Sequence, residues 1–204
     1  MKSLVKIGLA LLMVVGLAGC GKGDEVVDIP VEEQEEEKET IRTNSVFYEP
    51  VNPSNEQILA FNELSDAVNN GLSATEIAPL VTKCFAFDFF SLKNKTGQDD
   101  LGGLTYLPDD RVDEFRDYAV THYYQNYDSI VNEYGSESLP LVKAVNVSQT
   151  TNTIVNYQGI EFNGFVVEAS VEYQKTNIPE TDLKTQIKAT LIESNNVAVL
   201  IALE

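Results

Sequence analysis

The sequence predicts an α+β domain in which helices come first and an antiparallel sheet of about four strands follows. Two observations carry this. Between residues 54 and 134 the apolar side chains recur at helical spacing, and between residues 165 and 191 they alternate with polar ones residue by residue. Helices and strands segregated along a chain pack as helices on one face of an antiparallel sheet.

The first helix is announced by "SNEQ", Ser54 to Gln57, a capping-box pattern in which Ser and a Glu or Gln three residues on satisfy free backbone N–H groups. Its stripe is Ile58, Phe61, Leu64, Ser65 and Val68, and it stops before Gly71. "SATE", Ser73 to Glu76, repeats the cap ahead of Ile77, Leu80, Val81, Cys84, Phe85 and Asp88. Pro79 lies inside that pattern, so this helix is expected to start nearer Ala78 than Ser73. A third helix is expected from Pro108-Asp109-Asp110 onward. It carries Val112, Phe115, Ala119, His122, Tyr123, Tyr127, Ile130 and Tyr134 as one stripe and ends at Gly135.

The strands follow. "FVVEASVEYQK" turns Phe165, Val167, Ala169, Val171 and Tyr173 to one side, and "LKTQIKATL" does the same with Leu183, Ile187, Ala189 and Leu191. "LVKAVNV", Leu141 to Val147, reads as an earlier strand, and residues 153–162 could add a short one. "VAVLIAL", Val197 to Leu203, is apolar at every position, which predicts a central strand or one covered on both faces, with "ESNN" as the turn before it.

The N-terminus speaks to location. Lys2 and Lys6 precede the apolar run "IGLALLMVVGLA", and "LAGC", Leu17 to Cys20, closes it. This is the layout of a secretory signal peptide, and the run is short for a membrane span. "LAGC" resembles the bacterial lipobox. That resemblance implies cleavage before Cys20, acyl chains (palmitate among them) on Cys20, and a lipoprotein anchored on the extracytoplasmic face of the cell membrane. With Cys20 modified, Cys84 is the remaining thiol, so an internal disulfide has no second partner. An apolar helical setting makes Cys84 a buried, inert thiol.

Residues 20–52 then read as the lipidated Cys and an acidic tether, ahead of a single domain at 53–204. Over residues 21–43 nine Asp and Glu stand against Lys22, Lys38 and Arg42. Such a stretch buries too little apolar surface to offset its ordering entropy, and its like charges extend it. With +2 in the signal and −6 in this stretch, the remainder carries −14 of the chain's −18. Acidity of that order argues against nucleic acid as a partner, because phosphate binding needs Lys and Arg. A protein or cell-envelope partner is the expectation.

The element order over residues 54–204 is similar to the nuclear-transport-factor-like and cystatin-like α+β superfamily. A signal, an acidic tether and a small α+β domain together also resemble lipoproteins of low-GC Gram-positive bacteria. The first resemblance implies a cone whose interior, where such proteins are enzymes, carries Asp and His.

The chemistry is sparse. A single His leaves no His-based zinc cluster, and the chain contains no G-x-S-x-G, no P-loop and no paired-Cys motif. No cofactor or metal is expected. Asp88, within "FAFDFF", has the apolar surround that raises a carboxyl pKa and suits a general base, and His122, in "THYYQNY", could share a cavity with it. The competing reading has Asp88 capping the following loop or pointing outward beside Phe87, and His122 as a helix-face residue hydrogen-bonded to a Tyr. Tyr123 and Tyr127 are expected to face inward as ligand-binding or packing aromatics, and Tyr124 outward. In "KNKTGQDDLGGLTYLPDD", Lys93 to Asp110, the acids Asp99, Asp100, Asp109 and Asp110 lack the EF-hand spacing. Leu101, Leu104, Tyr106 and Leu107 suggest an ordered connection closing one end of the core, with Asp109 or Asp110 as a helix N-cap. The leading expectation is a tethered binding or interaction module. The alternative is an enzyme, or a small-ligand binder, using a cavity with Asp88 and His122.

Overall fold

The computed structural model describes residues 39–204. The expected signal peptide, Cys20 and most of the acidic segment lie outside the described residues. The described part is α+β: four helices, then a four-stranded antiparallel sheet in the order β1-β2-β3-β4.

Helix α1 is Asn55–Asn69, and Ser54 caps it by accepting from the Gln57 N–H. Helix α2, Ala74–Phe90, starts at its capping box and not at Ala78: Glu76 accepts from both the N–H and the hydroxyl of Ser73. Pro79 is carried inside the helix. Its missing N–H costs a single bond to Thr75, and burial outweighs it. Ile77, Ala78, Val81, Cys84 and every residue from Phe85 to Phe90 are buried. The helix is apolar all round because α1 and the sheet both pack against it.

The expected third helix is two. Helix α3 is Val112–His122 and α4 is Tyr127–Tyr134, with a 3-10 turn at Tyr124–Asn126 between them. On a straight α-helix Tyr123 and Tyr124 would point about 100° apart. The break at Tyr123 (φ −127°, ψ −58°) lets both rings meet Phe89, at 5.1 and 5.4 Å between centroids. Tyr124, expected outside, is fully buried.

In the sheet, β1 is Val142–Tyr157, β2 Ile160–Tyr173, β3 Gln186–Ser194 and β4 Val197–Leu203. The two short pieces anticipated at 141–147 and 153–162 belong to one long hairpin. Gln158 and Gly159 turn it with positive φ at both positions, as a type I′ turn needs. Phe165, Val167, Ala169 and Val171 of β2 face the helices together with Ile187, Ala189 and Leu191 of β3, as the alternation predicts. Strand β4 is an edge, not a central strand. Its apolar second face is half-buried rather than covered.

Packing on the domain begins before residue 53, where the sequence places the domain's start. Residues from Thr40 onward lie along α1: Asn62 accepts from the Arg42 N–H and donates to the Thr40 carbonyl, and Asn69 donates to the Thr43 carbonyl. Phe47 is buried, 5.4 Å from the Tyr106 ring. Asn and Phe side chains anchor this strap despite its acidic surroundings.

Candidate functional site

A groove of about 410 Å³ opens between α3 and the end of β4. Its apolar lining is Phe89 and Phe90 of α2, Leu107, Phe115, and Leu200 and Leu203 of β4. Arg111, Glu114, Tyr118, His122, Lys184 and Glu204 supply its polar side chains, and Tyr123, Ile201 and Ala202 complete it. Phe115 packs edge-on to Phe85 and tilted against Phe89, at 5.8 and 5.4 Å, so the α2 aromatics fix one wall.

His122 lies flat on Tyr118, one turn back on α3, with centroids 4.2 Å apart and planes 14° off parallel. Its Nδ1 is 3.0 Å from the Tyr118 carbonyl. A carbonyl can only accept, so Nδ1 is the donor in this contact. Arg111 is held by Glu114 at 2.7 Å. Burial pushes the Tyr123 phenol well above its usual pKa, and Tyr173 is its hydrogen-bonding neighbour. Of the two tyrosines singled out in the sequence, Tyr123 lines the groove. Tyr127 instead donates to the Lys95 carbonyl at 2.9 Å.

Asp88 does not join His122. It does not line the groove, and its carboxylate is occupied elsewhere. Oδ1 accepts from Lys95 Nζ at 2.9 Å and Gln57 Nε2 at 3.3 Å, and Oδ2 accepts from the Gly103 N–H at 2.7 Å. This is the loop-fixing role, extended by a cation that the local sequence concealed. The "GG" pair follows from it. A Cβ on Gly102 would sit 2.1 Å from the Asp88 carbonyl oxygen, and one on Gly103, at φ +83°, 2.6 Å from the Phe85 ring.

The rest of the loop closes the core. Tyr106 and Leu107 are buried, and Leu101 and Leu104 pack beside them. The Tyr124 hydroxyl donates to the Phe89 carbonyl at 2.7 Å and accepts from the Gly102 N–H at 3.1 Å. It thus satisfies one of the last carbonyls of α2, which have no partner within the helix. The loop acids go separate ways. Asp100 accepts from the N–H and hydroxyl of Thr96, while Asp110 accepts from Tyr157 and Gln158 at the tip of the β1–β2 hairpin. Neither Asp109 nor Asp110 caps a helix through its side chain. Cys84 is buried, its thiol donating to the Ala60 carbonyl at 3.3 Å, and desolvation raises its pKa.

Sequence reasoning missed Lys95, Gln57 and Tyr124 as the partners that order the loop, and Arg111, Glu114 and Phe115 as groove residues. The i, i+4 spacing of Tyr118 and His122 was a usable signal for their stack. The other partners meet through tertiary packing alone. No protein-family description, no curated protein and no solved structure matches this chain.

Proposed function

We propose that this chain is a lipid-anchored extracytoplasmic protein whose domain binds a small, largely apolar ligand, aromatic in part, in the groove between α3 and β4. The groove itself carries the reading. Its lining surface is mainly apolar, with polar side chains from Arg111, Glu114, His122 and Lys184, which is the make-up of ligand sites. The free Nε2 of His122 and the Arg111–Glu114 pair suit orientation of a polar substituent. Binding is favoured over chemistry by an Asp88–His122 pair because Asp88 lies outside the groove and is committed to Lys95. The likeness to the nuclear-transport-factor-like superfamily rests on the order of helices and strands alone. Among the described residues no helix is long and apolar enough to cross a membrane, and the anchor rests on "LAGC" at Cys20.

The two parts are tested separately. Anilinonaphthalene sulfonate, an aromatic anion, should fluoresce on the native protein. Phe115→Glu should abolish that signal while Tyr48→Ala, at an 82 % exposed site away from the groove, leaves it intact. Equal dye binding by both variants would sink the groove reading. For the anchor, Cys20→Ala should release the protein from alkali-washed membranes, and full retention would remove that half of the proposal.

A further inference from the structure

The outer edge of β1 is managed in two different ways. Its first half carries the devices that keep sheet edges from pairing. Lys143 is charged, and the register shifts at Lys143 and again at Ser148. From Gln149 to Tyr157 these devices stop. The run "QTTNTIVNY" has no charge and no Pro, keeps regular register with β2, and is rich in β-branched residues. It is also exposed, with Ile154 at 62 %. Such a strand is a ready template for another.

The hairpin holds this edge in place. Asp110 takes hydrogen bonds from Tyr157 and Gln158 at its tip. Val155 fills the space left above Gly164, where a Cβ would lie 2.3 Å from its Cγ2. The type I′ turn makes Tyr157 and Ile160 a hydrogen-bonded pair. Alternation then directs the main-chain groups of Val155, Thr153 and Thr151 toward β2, and those of Thr150, Asn152, Ile154 and Asn156 to the open side.

We propose that this edge pairs antiparallel with the same edge of a second copy of the chain, about a twofold axis at Thr153, joining two sheets into one. In that register Asn152 faces Ile154, Thr150 faces Asn156 and Thr151 faces Val155. Every outward N–H and C=O finds a partner, and β-branched side chains meet across the axis. Charge selects the occupant. The chain carries −18, so a cationic partner would be drawn to its acidic faces and gain nothing from a neutral strip. Two copies repel everywhere that acids face each other, and this strip brings none. Repulsion from the rest is screened beyond about 8 Å at physiological ionic strength, so salt should favour the pair. The pairing does not depend on the groove or on the anchor.

The test uses the full chain carrying Cys20→Ala and Thr153→Cys. The axis places the introduced thiols on residues whose Cα atoms are about 4.5 Å apart, within disulfide reach. Mild oxidation should give a covalent dimer on non-reducing gels, with a yield that rises from low to physiological salt. Ser148→Cys in place of Thr153→Cys should give little. Ile154→Pro removes an outward N–H that β2 does not use, and should lower the Thr153→Cys dimer by about tenfold or more, the effect of one or two lost hydrogen bonds. The buried Cys84 reports folding, because it stays unreactive toward thiol reagents in a folded chain. If Ile154→Pro exposes it, Ile154→Lys makes the same measurement. No dimer from a folded Thr153→Cys chain, equal dimer with the edge blocked, or an adduct of another mass would each overturn the proposal.

Discussion

Replacing Asp88 by Asn tests the strongest structural claim, that this carboxylate holds the loop after α2 rather than acting on a substrate. Asn keeps the volume, and its carbonyl can still accept from Gly103. What it loses is the charge facing Lys95, and its amide would meet the ammonium donor to donor. Lys95 and Asp88 have side chains only 3 % and 12 % exposed, so water cannot replace the missing partner. Breaking a buried pair from one side costs about 3–5 kcal/mol. At about 2–4 °C per kcal/mol for a domain of this size, the melting temperature followed by circular dichroism should fall by roughly 10 °C. Lys95→Met should cost less, about 2 kcal/mol, because the carboxylate keeps the Gly103 N–H and the Gln57 amide. The double variant should be more stable than the sum of the singles by about 2 kcal/mol, since neither charge is then left alone. A melting shift under about 3 °C for Asp88→Asn, or a coupling near zero, would show that the pair is not what orders the loop.

Three further outcomes follow from the same geometry. Gly102→Ala should lower the urea midpoint with little change in slope, at about 3 kcal/mol, because the obstructing atom is the Asp88 main-chain oxygen and cannot swing aside; a change below about 1 kcal/mol would mean the loop shifts freely. Tyr124→Phe should cost about 2–4 kcal/mol by calorimetry, since it leaves the Gly102 N–H and the Phe89 carbonyl buried without their partner; a neutral result would remove Tyr124 as the link between α2 and the loop. Alkali should unfold the domain. Burial raises Tyr106, Tyr123, Tyr124 and Tyr173, and burial with the Asp110 hydrogen bond pushes Tyr157 up to about 12. The unfolded phenols ionise near ~10, so this stability is complete below that pH and is lost as pH rises through about 12. With nine Tyr and no Trp in the chain, tyrosinate absorbance reports it cleanly. The raised phenols should ionise together with the loss of circular dichroism; their ionisation with the fold intact would refute the assignment.

Much of the fold was legible because periodicity records burial. Phe165, Val167, Ala169 and Val171 face the core as their alternation requires, and both Ser caps start helices where the capping pattern stands. The errors have local physical causes. Pro79 was weighed as a breaker, but one missing N–H is small beside the burial of Phe85, Phe87 and Phe89. Gln158-Gly159 is a hairpin turn, which Gly159 at φ +81° permits, so residues 153–162 hold the end of β1 and the start of β2 rather than a strand of their own. Charge alone places residues 40–50 in a tether, yet the anchors of this strap are Asn44 and Phe47, whose partners Ser65 and Tyr106 lie far along the chain.

The site was less legible for a related reason. An Asp between Phe residues is consistent with a desolvated base and with a buried ion pair, and the local sequence is the same in both cases. What separates them is whether a cation arrives. Lys95 arrives from only seven residues away, but in a segment with no helical or strand period to indicate its direction. The Gly-Gly pair was the one sequence feature that bore on the choice. Gly102 has no side chain because the Asp88 backbone occupies that space, and Gly103 can therefore bring its N–H to the carboxylate. Two adjacent glycines in an apolar loop thus point to a backbone packed tightly against a fixed partner. A catalytic carboxylate would need room beside it for substrate, and here that room is taken by Gly103, Gln57 and Lys95. The open space lies instead beside His122 and Phe115, on a helix whose break at Tyr123 depends on the same loop through the Tyr124 hydroxyl. Loosening the loop by Asp88→Asn should therefore reach the groove through Tyr124.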